Sequence, residues 1–547
     1  MKTYIYKIFA VLLIVSTVSC KKSFLDRVPS DFINESEVFG NIDNAEGFLN
    51  NTYSGIPTWR YGAGHAYVSA AMTDEAYQLW SDGAILFNTG AWNPSNFLPV
   101  SDEWGNTYSR IRAINIFLTN FDKIPEDPNV PGRKARMKGE ALLLRGFYHS
   151  ILFRGWGKIP LMDQPLSPAT DGDAVFLKRS EYAEVMDFII KDLDAGMALL
   201  PPKHSAGLWG RVTKTIGLAI KSRLYLYYAS PLLNPANDQA RWQKAAQASK
   251  EALDMALAEG YVLEPNYADA FLKYANSECI WGRNIGTGAV DGIDQVMQTL
   301  GHAGWSNCGP VQSFVDAYQM KNGLPITDPA SGWDPKHPYT NRDPRLNATV
   351  LYPGARWKGR TINIYGQDRP STIQPGTHYW WRKYLTESLN LNNNTGGVTK
   401  AFSIYRTGEL YLNYAEAQNE VAGPDGTVYA AINAIRKRAG MPDIPAGLSK
   451  DQMRDAMRQE RRIELAFEGH RFWDVRRWKI AEVVDNKPVY GVNYTLSATN
   501  PTDTTFTYFE MQKRTFDPRK HYFMPIPQPE IDKLVGKNPG FKQTEGW

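Results

Sequence analysis

Thr213-Lys-Thr-Ile216-Gly-Leu218-Ala219-Ile-Lys-Ser-Arg-Leu224-Tyr-Leu-Tyr227-Tyr228-Ala229 carries apolar side chains at helical spacing, and beyond Pro231 and Pro235 a second such run extends from Arg241 to Leu257. The second run aligns Trp242, Ala245, Ser249, Ala252 and Ala256 on one stripe at steps of three and four, with small residues where a partner helix must approach closely. That is the pattern of the second helix of a tetratricopeptide unit. Similar pairs are Lys134 to Arg154 with Arg179 to Leu200, and Gly408 to Val421 with Thr427 to Arg438, the latter joined by Gly423-Pro424-Asp425-Gly426. Their irregular spacing excludes a regular array. A last helix, Lys450 to Glu468, starts at a Ser449 cap and sets Glu460, Glu464 and Glu468 at four-residue steps beside Arg461 and Arg462. This charged row reads either as a solvated face or as a buried ion network. Strand signals are short, chiefly Ala348 to Leu351, Thr361 to Tyr365, Val489 to Leu496 and Thr505 to Phe509. The pattern predicts a mainly α fold: a tetratricopeptide-like helical-repeat scaffold with long irregular loops and a few short β-hairpins.

Outward from the scaffold, the first residues read as an export signal. Lys2 and Lys7 precede the apolar run Ile8 to Val15, and Thr17-Val18-Ser19 leads to Cys20. The run is too short to span a bilayer as a helix. Residues 1–19 are therefore a signal peptide, and Cys20 is the candidate for lipidation, each buried acyl methylene contributing about 0.8 kcal/mol of anchoring. Thr17 departs from the branched apolar residue usual at that place, and a secreted protein with an incidental Cys20 is the alternative. Of the formal net charge of +4, Lys2 and Lys7 supply two, so the mature chain has no nucleic-acid footprint. Cys279 and Cys308 are the other cysteines, and one pair is no disulfide framework in a chain of this length; pairing and separate buried thiols both remain open. No Pro/Gly/Ser linker divides residues 20–547, which read as a single domain with loops inserted at roughly 56–105 and 280–400.

The 16 Trp and 29 Tyr concentrate in segments whose Gly, Pro and Asn content breaks helices, which outlines an aromatic recognition surface. Catalytic signatures are absent: there is no Gly-x-Ser-x-Gly elbow, no His-Glu-x-x-His pair, no phosphate-cradling loop and no Cys/His cluster. Asp74-Glu75 lies among aromatics, but glycosidase carboxylates must face each other across a cleft, and adjacent residues point apart. His337 and His378 are far apart in sequence and make a poor metal site. Asp328, Asp334 and Asn341 lack the alternating spacing of a calcium loop. No catalytic residue, cofactor or metal ligand is assigned.

Five blocks then give the chain a resemblance. Phe24-Leu25-Asp26 with Pro29 follows the cysteine. Arg136-Met-Lys-Gly-Glu140-Ala-Leu-Leu-Leu-Arg145-Gly-Phe-Tyr-His runs on to Arg154-Gly-Trp156-Gly and Ile159-Pro160-Leu161. Gly210-Arg211-Val212-Thr213-Lys214 precedes a helix, and Glu409-Leu-Tyr-Leu-Asn-Tyr-Ala-Glu416-Ala-Gln-Asn-Glu420 leads to Ile435-Arg-Lys-Arg-Ala-Gly440. Glu460 to Trp478, with the endings His521 to Pro527 and Asn538 to Trp547, completes the set. In order and joint presence these resemble the SusD/RagB family of outer-membrane nutrient-binding lipoproteins. Thr407-Gly408 before Glu409 departs from that family's aromatic-small pair. The chemistry of the blocks is scaffold chemistry: Arg145, Glu140, Arg471 and Asp474 are costly to bury alone and should hold one another and nearby carbonyls.

The resemblance implies a SusD-like body that binds a polymer, often a glycan, on the cell surface and passes it to a TonB-dependent outer-membrane barrel, without catalysis. Peptide or glycopeptide cargo on the same scaffold is the alternative, and a lipid-anchored hydrolase a third reading. The implied ligand-binding residues are Trp80, Trp92, Asn93, Trp305, Asn307, Trp333, Arg356 and Trp357. A Trp beside an Asn suits a sugar, because the indole stacks on the ring's C–H face while the amide donates to and accepts from hydroxyls. Trp380-Trp381, followed by Arg382-Lys383-Tyr384, reads more as core. Trp305 stands out because Gly301, Gly304 and Gly309 should surround it with flexible backbone and little to pack against.

Overall fold

Thr213 caps the decisive helix as its sequence requires: the hydroxyl accepts the Ile216 N–H at 3.3 Å. The computed structural model describes residues 34–56, 67–79, 83–97, 100–284, 292–369, 376–496, 504–538 and 540–547; the signal segment and Cys20 lie outside the described residues. The main helices, in chain order, are α1 Ile42–Thr52, α2 Val100–Thr119, α3 Arg133–Trp156, α4 Tyr182–Met197, α5 Lys214–Ala229, α6 Gln239–Ala258, α7 Thr407–Ala422, α8 Gly426–Arg438, α9 Lys450–Glu464 and α10 Arg471–Arg477. From α2 to α8 each packs on the next, and α9 joins α7 and α8. This is a mainly α, tetratricopeptide-like stack, with the long segment between α6 and α7 inserted into it.

The stripe of small residues works as its spacing predicts. Trp242, Ala245, Ser249, Ala252 and Ala256 are all buried, and α6 lies between α5 and α7. A polar thread crosses the contact: the Ser222 and Ser249 hydroxyls meet at 3.0 Å, Asn413 donates to Ser222 Oγ at 3.1 Å, and Arg461 donates to Asn413 Oδ1 at 2.7 Å. Helix ends differ from expectation at two places. Arg179 is not helical; its guanidinium donates to the Lys158 and Trp156 carbonyls, and α4 starts only after the Glu181 capping box. Ser449 does cap α9, reciprocally with Gln452, but the helix stops at Glu464 because Phe467 and Gly469 take positive φ.

The acidic row is a buried network. Five acids, Glu278, Asp343, Glu460, Glu464 and Glu468, meet five bases, Arg345, Lys383, Arg406, Arg436 and Arg438. Arg406, at the start of α7, reaches Glu464 at 2.8 Å and Glu468 at 2.7 Å, so the inserted segment is locked to α9 at its exit. Burial alone raises the Glu464 carboxyl, and the Arg438, Arg406 and Arg345 charges outweigh it, leaving the group well below the usual carboxylate range. The four residues expected to hold one another, Arg145, Glu140, Arg471 and Asp474, each take a different partner. Arg145 takes Asp192, Glu140 takes Arg211 and Arg136, Arg471 takes Asp74, and Asp474 takes Arg461 and Arg477.

Among the described residues, five antiparallel two-stranded ladders decorate the helices. In chain order the strands are β1 Ala76–Gln78, β2 Cys279–Asn284, β3 Cys308–Pro310, β4 Val350–Leu351, β5 Arg356–Trp357, β6 Arg360–Thr361, β7 Trp380–Trp381, β8 Ala401–Arg406, β9 Val489–Leu496 and β10 Thr504–Gln512. The β9–β10 hairpin follows the sequence reading. The expected strand from Thr361 to Tyr365 shrinks to Arg360–Thr361, because Ile362 and Ile364 turn inward to the core. The β2–β8 ladder had no sequence signal, since β8 is buried at every position and shows no alternation. Cys279 and Cys308 are both buried and not bonded to each other. The C-terminal segment closes over the N-terminal half: the Trp156 indole donates to the Pro525 carbonyl at 2.7 Å, and Arg514 donates to the Ala71, Thr73 and Ala76 carbonyls. Among the described residues no helix is long and apolar enough to cross a membrane.

Candidate ligand-binding site

The β1–β3 ladder joins the two inserted regions. Gln78 pairs with Cys308, and the next amide, Leu79 N–H, donates to the Asn307 carbonyl at 2.7 Å. The chain leading to Trp80 therefore runs beside the turn that carries Trp305; Trp80 itself lies outside the described residues. Trp305 is 38 % exposed on that turn. The turn is closely packed, which corrects the expectation of flexible glycine backbone. A Cβ on Gly304 would collide with the Gln298 carbonyl, one on Gly309 with Thr377 and Tyr379, and one on Gly301 with Arg360 and Asp368. None of the three has positive φ; they are small because backbone and side chains pass against them.

Two buried indoles fasten the turn from beneath. Trp380 Nε1 donates to Ser306 Oγ at 3.0 Å, and Trp357 Nε1 donates to Gln298 Oε1 at 3.2 Å, while the Gln298 carbonyl accepts the Ser306 N–H at 2.9 Å. A charged clamp holds its other side. Asp368 accepts from Thr299 Oγ1, from both Arg360 Nη atoms and from the Asn363 N–H. Burial alone raises the Asp368 carboxyl, but the Arg360 guanidinium, His302 and Thr299 together bring it far below the usual range. The clamp pins the 299–302 turn to the 360–368 segment. Two exposed apolar side chains ride on these pieces, Leu300 at 42 % and Tyr365 at 58 %, the latter with its hydroxyl on the Tyr494 carbonyl at 2.6 Å. Sequence reasoning missed both, although Tyr365 stands in the kind of Asn/Gly segment that marked the tryptophans.

The remaining residues separate. Trp92 is buried, stacked on Phe87 at 4.5 Å between centroids and packed against Trp547 and His521; it fills the core and leaves no ring face for a ligand. Asn93 is exposed but spends its Oδ1 on the Ser95 N–H in a local turn. Trp357 is buried too, as is Asn307, so both support the Trp305 turn from below. Arg356 is exposed at the start of β5, opposite Thr361, with Nη2 on the Gly359 carbonyl of the hairpin turn. Trp333 is half-buried in a separate loop, its indole on the Pro338 carbonyl at 3.4 Å. Trp380 and Trp381 are core residues, Trp381 stacking on Phe467 at 4.1 Å.

Asp74 and Glu75 have structural surroundings. Arg471 binds both Asp74 oxygens and Arg462 binds one. Burial alone raises the Asp74 carboxyl; the Arg462 and Arg471 charges reverse that and hold it ionised. Glu75 is pushed up to about 8 by burial and then by the Asp74 charge. Both carboxyls are buried. Among the described residues no group of three or more His, Cys, Asp or Glu side chains is placed to hold a metal.

Comparison with known proteins gives this architecture its relatives. A family model described as the SusD family matches residues 268–547, and a second, described as starch-binding associating with outer membrane, matches residues 24–226. SusD-like protein P2 of Formosa agariphila is 24% identical over 98% of this chain and 99% of its own. A crystal structure of a SusD-like protein from Bacteroides fragilis superposes with a TM-score of 0.78 at 25% identity, covering 95% of this chain and 100% of that one. A SusD-like carbohydrate binding protein from the same species gives 0.76 at 24% identity, over 92% and 100%. With the helical stack, the inserted loops and a family match over more than half of its length, this chain belongs to the SusD family.

Proposed function

We propose that the protein is a lipid-anchored, cell-surface glycan-binding protein that captures oligo- or polysaccharide and delivers it to a TonB-dependent outer-membrane barrel. The carrying observation is Trp305: a large ring, 38 % exposed, on a turn that two buried indoles and the Asp368 clamp keep in one conformation. An exposed, prearranged ring suits stacking on a pyranose, since little ordering remains to be done on binding. The family model associated with the outer membrane and the carbohydrate-binding relative support the same reading. The anchor is proposed at Cys20 from the signal-peptide pattern, and the barrel partner is proposed from the family resemblance. Binding without catalysis is the role proposed.

The test is isothermal titration of the mature protein against a panel of polysaccharides, a peptide pool and a turnover assay for released reducing ends. Saturable binding to a glycan without turnover supports the proposal. Binding confined to peptides moves the cargo to the alternative class, and glycan turnover overturns the non-catalytic role.

A further inference from the structure

A second cleft lies away from the Trp305 turn, at the junction of α1, the approach to α5 and strand β2. It is an open groove of about 540 Å³ between Asn50 and Tyr53 on one side, Trp209 and Tyr274 on another, and Arg211 and Arg283. Its floor is built by a specific backbone arrangement. Gly210 takes φ +90, a conformation that L side chains avoid, and its carbonyl accepts the Trp281 indole N–H at 3.0 Å from β2. This bend leaves Trp209 at the surface. Trp209 and Tyr274 meet with centroids 4.5 Å apart at 50°, Tyr274 is 42 % exposed, and neither ring belongs to the hydrophobic clusters that form the core. The pair thus lies outside the core, with Trp209 half-buried and Tyr274 exposed at the cleft.

The charge pattern of the cleft is as specific as its aromatics. Arg211 is neutralised by Glu46 at 2.8 Å and Glu140 at 2.7 Å. Arg283 has no such partner among the described residues. Both of its hydrogen bonds leave from Nη1, to the Ser54 and Ile56 carbonyls at 3.2 and 2.7 Å. Arg110 on α2 likewise donates only to a carbonyl of this bend, that of Asn51 at 3.4 Å. The network around Glu464 matches its guanidinium groups to carboxylates, whereas Arg342 and Arg514 donate to backbone carbonyls as Arg283 does; those two are buried, and Arg283 is part-exposed at the cleft. An aromatic wall beside an unneutralised guanidinium calls for a ligand with a flat apolar face and an anionic substituent.

We infer that this cleft is a second carbohydrate subsite, taking a pyranose that bears a carboxylate or sulfate group. The ring stacks on Trp209 and Tyr274, and the anion pairs with Arg283. The inference rests on the glycan-binding reading above and extends it to acidic sugars.

The experiment titrates the full mature protein with three probes, an oligogalacturonide, a sulfated oligosaccharide and a neutral oligosaccharide of similar length, alongside an acidic peptide. The variants are Trp209→Ala, Tyr274→Ala, Arg283→Gln and Trp305→Ala. At least one acidic oligosaccharide should bind wild type tenfold or more tightly than the neutral one, with affinity falling as salt rises. The two acidic arms distinguish carboxylate from sulfate. Trp209→Ala and Arg283→Gln should each weaken that binding at least tenfold, while Trp305→Ala leaves a saltable acidic site in place. Tyr274→Ala, at an exposed ring, keeps the test valid if Trp209→Ala fails to fold. Acidic-sugar affinity unchanged by Arg283→Gln and Tyr274→Ala, or no preference for the acidic probes, overturns the subsite while leaving the glycan reading intact. Acidic peptide bound in preference to every sugar, with the same variant sensitivity, overturns its carbohydrate assignment. Failure of wild type to bind any glycan overturns the reading on which it rests.

Discussion

Arg471 donates from Nε and Nη2 to the two carboxylate oxygens of Asp74, at 2.7 and 2.8 Å, joining the start of α10 to the segment that enters β1. This bond helps the scaffold hold the first inserted region, and Arg462 from α9 adds a second cation to it. Removing one partner strands a buried charge, which costs about 3–5 kcal/mol. Arg471→Ala and Asp74→Asn should each lower the unfolding free energy on that scale in chemical denaturation. A loss below about 1 kcal/mol in either variant would show that the pair is not desolvated in solution.

Beside it, Glu75 sets a pH dependence. Its folded value of about 8 stands above the ordinary 4.5, and buried Asp485 is raised in the same way, by burial, from 3.8 to about 7. A raised acid contributes stability that is complete below its unfolded value and is lost as pH climbs through the folded one. Below about pH 6.5 buried His149, His470 and His521, all lowered by burial, oppose this trend, so these two groups should make the melting temperature decline between about pH 7 and 8. Glu75→Gln, neutral at every pH, should flatten part of that decline. A wild-type melting curve that rises over this interval would contradict the assignment.

Two tryptophans separate platform from support. Trp305→Ala should weaken glycan binding by about 1–3 kcal/mol, by analogy with loss of a stacking ring, with little change in melting temperature. Trp357→Ala should instead cost about 3–5 kcal/mol of stability, because it empties a core position and leaves Gln298 Oε1 without its donor. The reverse pattern would exchange their roles.

Gly304→Ala probes whether the turn is as tight as its contacts indicate. The added methyl meets the Gln298 carbonyl, which also accepts the Ser306 N–H, so the turn must open. Affinity for glycan should fall along with a modest loss of stability of about 1–3 kcal/mol. Unchanged affinity would detach Trp305 from the site.

Cys20→Ala should release the protein from the membrane fraction, assayed by fractionation in cells lacking the barrel, where barrel docking offers no second attachment. Purification of the tagged wild type from native membranes in mild detergent should bring a much larger barrel protein with it. Membrane retention of the variant removes the anchor, and elution alone with the barrel present in the input removes the partner.

The helices were legible because their information is local. Thr213 and Ser449 cap where a hydroxyl must, and the alanines of α6 mark its contact with α5 and α7. The β2–β8 ladder was not, because strand β8 is buried on both faces and presents no alternation to read. The tryptophans were the hardest. Trp92 and Trp305 each precede a Ser or Asn and sit in Gly-rich sequence, yet one is plugged between Phe87 and Trp547 and the other faces outward. That difference depends on partners far along the chain. Arg283 was invisible as a site residue for the same reason: its place beside Trp209 and Tyr274 is made by residues far apart in the chain.

The closure of the C-terminal segment over the N-terminal half has a consequence for the order in which the molecule comes into being. The carbonyls that Arg514 collects belong to residues 71, 73 and 76, and the indole of Trp156 waits for the carbonyl of Pro525. Synthesis delivers nearly the whole stack of helices before the residues that seal it. Contacts so distant in sequence form late and slowly. The flank of the nascent chain thus stays open until its final stretch has been made, and only then can the body close.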